Sequence, residues 1–428
     1  MFIIQKQFSV CALLLGVLMI GQAVAEDVVT LNDLIAEAME NNPQIQASEN
    51  AYHASLSRPG QVSALPDPIV SFVSKNSNGN PVPFTELGDD PLSSIGFMWQ
   101  QEIPYPGKLK LAGKIANQDA ASMAADFDGT RSNVVAELKQ AYYEYFRTSR
   151  SLEILQQSRE LLKQFEEIAE ARYRVGNAIQ QDVLRAQLEI SILTQRTTRL
   201  DEEEAVAVAR INRILNRPVD IVLQKPLEVS KSTLSASMED LQTEFISSAP
   251  AIRSKEALLE RERLNVELAK KQYRPDFMTS AEYGYSPNFP DMWEFQIGLR
   301  IPIWYKKKQS AGVAEATYSM NRAERDLVAD KHEIAFNIKQ AYLEIQLSEK
   351  LLTLYEQAIN PQSNLALESG IASYQAGKAD FLTILTNFLT VLEYRMNYVE
   401  ELSKHESAIA RLEQVIGHPI TTGDGGGK

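Results

Sequence analysis

His332 and Glu333 open the stretch HEIAF. A second histidine four residues after the first would put two imidazoles on one helix face, ready for zinc, with the glutamate as general base. Phe336 stands there instead, and no zinc chemistry follows. The other histidines, His53, His405 and His418, are scattered along the chain, and His405 falls on an apolar helical seam where packing explains it. GDGGGK at 423–428 has the glycines and lysine of a phosphate loop, but no helix is expected behind it to aim N-terminal amides at a phosphate. The methionines do not cluster as soft-metal ligands. No catalysis, no cofactor and no metal site is therefore expected.

The chain of 428 residues has a net charge of -13 and 23% charged residues. That balance argues against nucleic acid and anionic headgroups as partners. One run is apolar enough to enter a bilayer as a helix. Lys6, the apolar stretch Phe8 to Ile20 and the Ala23-Val24-Ala25 end read as a signal peptide over residues 1–25. The single cysteine, Cys11, lies inside it, preceded by Val10 rather than by the small residue a lipid-attachment site wants. The mature chain then has no disulfide and no thiolate.

The chain is written twice. DLIAEAMENNPQI from Asp33 matches DLQTEFISSAPAI from Asp240, and QEIPYP from Gln101 matches LRIPIW from Leu299. KQAYYE from Lys139 matches KQAYLE from Lys339, and YRVGNAIQQDVL from Tyr173 matches YQAGKADFLTIL from Tyr374. The pairs run in the same order about 200 residues apart, the signature of a tandem duplication. We expect a first structural repeat over 26–225, a second over 226–420 and a disordered glycine-rich tail over 421–428.

Each repeat opens with a short helix, Leu31 to about Ser57 and Met238 to about Gln272. Two strands follow, predicted at Ile69–Lys75 and Ser94–Ile103, then at Met278–Tyr285 and Trp293–Ile303. They alternate with period two. In Ser94–Ile103, Ile95, Phe97, Trp99 and Ile103 share one face, and Gly96, Met98, Gln100 and Glu102 share the other. After each hairpin the rhythm turns helical. No proline interrupts Lys108 to Arg217, so a helix from about Gly107 to Arg174 would run roughly 100 Å at 1.5 Å per residue. The return leg carries a heptad seam, Ile179, Val183, Ala186, Ile190, Leu193, Leu200, Ala207, Ile211 and Ile214, the spacing of a left-handed coiled coil. Pro361 is expected to disturb the long helix of the second repeat.

Four amphipathic strands match the reach of a membrane-crossing sheet, whose backbone groups must all be paired in lipid. Four strands cannot close a barrel, so several chains must share one: two would give a filled lumen, three a water channel. The alternative is a soluble scaffold or adhesin whose hairpins pack on protein. Aromatics at the strand ends, among them Trp99, Trp293 and Trp304, favour the membrane reading, because such residues sit at the lipid–water boundary.

This duplicated order of helix, hairpin, long helix, Y-x-x-G turn and return helix resembles the TolC family of outer-membrane efflux proteins over essentially the whole mature chain. LPDP before the first hairpin and IPYPGKLKLAGK after it look most like the heavy-metal and cation branch. The resemblance implies a mainly α fold with membrane β: a homotrimer with a 12-stranded barrel in outer-membrane lipid and an α-helical tunnel in the periplasm of a Gram-negative bacterium. It also implies a periplasmic adaptor protein and an inner-membrane pump of the RND type as partners. The cargo would be small solutes such as metal cations, with polypeptide secretion as the other possibility.

The resemblance also places residues. The Y-x-x-G turns, Tyr173 to Gly176 and Tyr374 to Gly377, would be the periplasmic tips that dock the adaptor. The family's gate joins a tyrosine and a base of the second repeat to an acid of the neighbouring hairpin. Tyr374 and Asp182 match that pattern, while the base falls on Ala379 with Lys378 beside it. The family's constricting acids fall on Thr383 and Thr386, which carry no charge. Asp380 is the nearest acid. It either forms a cation-favouring ring or caps the return helix. Glu102 and Arg300 stand before the two Ile-Pro steps on the lumen side, either paired across strands or lining water.

Overall fold

The computed structural model describes residues 30–77, 82–85, 87–234, 236–243 and 245–420. The expected signal peptide and glycine-rich tail lie outside the described residues. The element order is α1 (Leu31–Asn41), α2 (Pro43–Ser63), β1 (Ile69–Lys75), β2 (Ser94–Ile103), α3 (Lys108–Arg174) and α4 (Gln180–Ile214) in the first half. The second half has α5 (Met238–Thr243), α6 (Phe245–Ser248), α7 (Pro250–Lys271), β3 (Asp276–Tyr285), β4 (Met292–Arg300), α8 (Lys308–Leu354), a π-helical turn (Tyr355–Ile359), α9 (Asn360–Gln375) and α10 (Phe381–Ile416). Both halves run from short helices through a two-stranded hairpin to a long helical leg and a return helix.

The helices start and stop for local reasons. Thr30 and Asp33 form a reciprocal capping box at the start of α1. Asn42 ends α1 and caps α2 ahead of Pro43, with its side-chain oxygen accepting from Gln44 N at 2.9 Å. α3 runs 67 residues without a break. In the second half the π turn at 355–359 ends two residues before Pro361. A proline ring cannot accept the ordinary ladder, so the preceding turn widens.

Long-range packing makes three apolar cores. One joins Leu34, Leu138, Tyr142, Ile211 and Leu215 of the first repeat. Its counterpart joins Leu241, Ile252, Ile338, Ile345 and Leu412 of the second. The third knits both repeats toward the tips, through Phe165, Leu193, Leu352, Phe381 and Phe388. The predicted seam of α4 is buried at Ala186, Leu193, Leu200, Ala207, Ile211 and Ile214. Ile179 is an exposed N-cap rather than a seam residue. The extended segment between the halves is tied down: Tyr145 Oη donates to Gln224 O at 3.1 Å, and Ser232 donates through N and Oγ, both at 2.8 Å, to the buried Glu406.

The strands form one antiparallel sheet in the order β1-β2-β3-β4. Pairing of β2 with β3 joins the repeats. β1 and β4 are its edges, each with no second neighbour among the described residues. β4 ends at Arg300, not at Ile303 as the alternation predicts. Pro302 has no N–H to donate, and Ile303 N turns back to Ile301 O at 2.9 Å.

Candidate functional site: hairpin tips and the two faces of the sheet

Both tips are built alike. In the first, Gly176 has φ +76°, Gly176 N donates to Tyr173 O at 3.0 Å, and Asn177 N donates to Arg172 O at 2.8 Å. In the second, Gly377 has φ +73°, Gly377 N donates to Tyr374 O at 2.9 Å, and Lys378 N donates to Ser373 O at 2.8 Å. This is the helix-ending motif in which a left-handed glycine lets two amides satisfy orphan carbonyls. Both tips carry it.

The side chains at the tips differ. Tyr173 is exposed, whereas Tyr374 is buried against Phe381, with ring centroids 6.0 Å apart. Arg172 of the first hairpin donates from Nη1 to Tyr374 O at 2.5 Å and lays its guanidinium 4.4 Å from the Tyr374 ring centre. The guanidinium faces the ring and the carbonyl. The Tyr374 hydroxyl is buried and has no hydrogen-bond partner among the described residues. Burial raises its pKa, Arg172 pulls it down, and the Asp182 charge pushes it up again.

The expected Tyr374–Asp182 bond is therefore absent within the protomer. Asp182 sits instead in the first turn of α4, where its charge suits the helix dipole. The base that meets Tyr374 is Arg172, and neither Lys378 nor Ala379 takes that place. Lys378 is exposed. Comparison of the two repeats would have marked Arg172, because the matching position in the second repeat is Ser373.

Asp380 is the N-cap of α10. Its Oδ1 accepts from Thr383 N at 2.9 Å and from Thr383 Oγ1 at 2.5 Å. These bonds hold its carboxyl below the usual aspartate range. The first repeat has Ile179 as N-cap, with no side-chain bond. Thr386 is exposed, and its hydroxyl donates to Leu382 O at 2.8 Å.

The sheet has two chemically opposite faces. Val70, Phe72, Phe97, Trp99, Trp293, Phe295, Ile297 and Leu299 are exposed on one; cross-strand pairs such as Val70–Trp99 and Phe72–Phe97 hold them in rows. A contiguous exposed patch of this size marks a non-aqueous neighbour. Trp293 lies near the hairpin end and Trp304 just past the other end of β4. Trp99 does not lie at a strand end. It pairs with Val70 and Ala281 in the middle of the sheet, so it belongs to the apolar band and not to its rim.

The other face carries charge. Arg300 donates to Glu102 from Nη1 at 2.5 Å and from Nη2 at 3.1 Å. Of the two readings of these residues, the paired one holds. Asp276, opposite Arg300, accepts from Lys108 Nζ at 2.8 Å and from Tyr105 N at 2.7 Å. Lys108, buried at the foot of α3, thereby ties the first repeat to β3 of the second. Lys75 bridges Glu282 and Glu294 at the other end. Alternation alone does not mark Lys108, Asp276 or the Lys75 cluster, because cross-strand partners follow from register. No group of histidine, cysteine and carboxylate side chains able to hold a metal is found among the described residues. No helix among the described residues is long and apolar enough to cross a membrane.

Known proteins share this architecture. The chain is 21% identical over 342 residues to the outer membrane protein TolC of Vibrio cholerae, covering 76% of this chain and 77% of that one. It is 20% identical over 213 residues to the cobalt-zinc-cadmium resistance protein CzcC of Cupriavidus metallidurans, covering 50% of this chain and 46% of that one. The crystal structure of the outer membrane protein VceC from Vibrio cholerae superposes with a TM-score of 0.77 at 17% identity, over 91% of this chain and 96% of that one. The model of the outer membrane efflux protein family matches residues 34–217 and 241–418, one segment in each repeat. The chain belongs to the outer membrane efflux protein family.

Proposed function

We propose that three copies of this chain pool their sheets into one twelve-stranded barrel, continued by a helical tunnel, and so form the outer-membrane duct of a tripartite efflux system. One observation carries this reading: a four-stranded sheet, open at both edges among the described residues, apolar on one face and charged on the other, stands on helices of up to 67 residues. Open edges and an exposed apolar face are costly in water. Edge-to-edge closure within lipid removes both costs. Family membership favours this duct over the scaffold reading.

In this reading the chain performs no chemistry. The two repeats, 26–225 and 226–420, supply two hairpin tips per protomer, around which a periplasmic adaptor packs. An inner-membrane pump of the RND type supplies the energy. The tips carry the gate, with Tyr374, Asp182, Lys378, Asp380, Thr383 and Thr386 at its mouth and Tyr173, Gly176 and Gly377 shaping the docking turns. Arg172 holds the second tip to the first. Trp293 and Trp304 lie at the two lipid–water boundaries. The cargo is a small solute; the likeness to a cobalt-zinc-cadmium resistance protein points to metal cations.

The test is reconstitution of the purified mature chain into planar bilayers. Discrete ion-conducting steps from a heat-modifiable oligomer are expected. Absence of conductance from correctly folded, membrane-inserted protein would contradict the duct.

A further inference from the structure

The charged face of the sheet places like charges where strand pairing disfavours them. Glu282 on β3 and Glu294 on β4 stand directly opposite each other, an arrangement that repels. Lys75, the last residue of β1, resolves it. Its Nζ lies 2.5 Å from Glu282 Oε1 and 3.3 Å from Glu294 Oε2. On the register, the positions on this face between Lys75 and the carboxylates include Gly96 and its partner Gly284. Neither glycine raises a side chain into the path. The Gln296 amide donates to Glu294 Oε1 along the same strand and fixes that carboxylate.

The remaining carboxylates of this face have their own cations, Arg300 for Glu102 and Lys108 for Asp276. Among the described residues, Lys75 is the only cation within ion-pair distance of Glu282 or Glu294. Its side chain remains partly exposed, as does that of Glu294, so the cluster faces the water beside the sheet.

We propose that Lys75 is a selectivity-determining residue of the barrel: it offsets one of the two carboxylate charges and keeps that stretch of the lumen only weakly cation-preferring. This inference rests on the duct reading. In a trimer the cluster recurs three times around one lumen, and removal of Lys75 would add three net negative charges there. Rings of charge act on permeant ions through the local potential.

The experiment uses the full mature chain in planar bilayers under a potassium chloride gradient, with potassium and chloride as probes. Lys75→Gln is expected to raise the cation-over-anion permeability ratio about twofold or more, the scale of a potential change near one kT. Glu294→Gln is expected to lower it, and Lys75→Arg to keep it. Opposite shifts from the two neutralising variants would not follow from a purely structural role. Conducting variants with the wild-type ratio would overturn the proposal while leaving the duct intact. Should Lys75→Gln fail to assemble, Glu294→Gln decides alone, and an unchanged ratio overturns the proposal. A wild-type protein that inserts but does not conduct would overturn the duct and this inference together.

Discussion

Arg172 and Tyr374 join the two hairpin tips: the arginine donates to the tyrosine carbonyl at 2.5 Å and covers its ring at 4.4 Å. The contact links residues from different repeats, 202 positions apart. It fastens the second tip to the first. A guanidinium over a ring contributes roughly 0.5–2 kcal/mol, and a charge-assisted hydrogen bond about 1.5–3 kcal/mol where it is shielded. Arg172 is only partly buried, so the lower ends apply. Arg172→Ala is expected to loosen the tip and increase single-channel conductance, while Arg172→Lys recovers part of the wild-type value. Bilayer recordings of both variants check this; wild-type conductance in Arg172→Ala would show that the contact does not hold the tip.

The two tip glycines should be equivalent in backbone strain and unequal in surroundings. A Cβ at Gly176 meets nothing within 4 Å, and one at Gly377 meets only Arg172 Nη2, at 3.8 Å. Steric clash is therefore excluded, and the left-handed φ is the cost of alanine, about 1–2 kcal/mol at each site. Gly176→Ala and Gly377→Ala should lower stability by similar amounts in denaturant titrations. A loss at one site alone would mean that the turn, as described, is not common to both.

Asp380 makes the second tip sensitive to acid. Its carboxyl is held below the usual aspartate value by Thr383. A carboxylate with a depressed folded pKa stabilises the fold above its unfolded pKa and loses that contribution as pH falls through the folded value. Helix α10 should therefore fray at its start below about pH 3.8, the ordinary aspartate value. Asp380→Asn keeps an acceptor and removes the titration. Amide exchange at Thr383 as a function of pH checks the cap; equal acid sensitivity in both proteins would refute it.

The segment between the repeats has the opposite dependence. Glu406 is buried on α10, and desolvation raises its pKa against the Ser232 hydrogen bonds and the nearby His405 and Lys139 charges, which lower it. A carboxyl with a raised folded pKa binds its proton more tightly when folded. Its stabilising protonation is lost as pH rises from about 4.5, the ordinary glutamate value, through the folded value. Glu406→Gln should flatten this decline. Ser232→Ala removes one of the two bonds to Glu406 and should cost about 1–3 kcal/mol. Thermal unfolding of the three proteins between pH 4 and 8 gives the answer; parallel curves for wild type and Glu406→Gln would rule out the role of Glu406.

Much of the architecture was legible in the residues because it obeys periodicity. Alternation located β1 and β2 to the residue, and the heptad spacing on α4 marked the positions that Leu193, Leu200 and Ile211 bury. Where the physics is not periodic, the sequence is less informative. The alternating pattern ran on past Arg300 because Ile301 and Ile303 continue it, but Pro302 and the local turn end the ladder. Alternation does not place Trp99 along the strand; its register with Val70 and Ala281 puts it at mid-sheet. Arg172 carries no periodic mark, and a residue beside a turn gives no hint of the partner 202 positions away. Lys75, Glu282 and Glu294, on β1, β3 and β4, come together only when the hairpins of the two halves are set in register.

The central claim is that one chain supplies a third of a barrel. Native mass spectrometry of the mature protein released from detergent micelles measures this directly. The account predicts a trimer that persists without adaptor or pump and separates into monomers only when heated. A monodisperse monomer that remains in solution after the detergent is removed would contradict it.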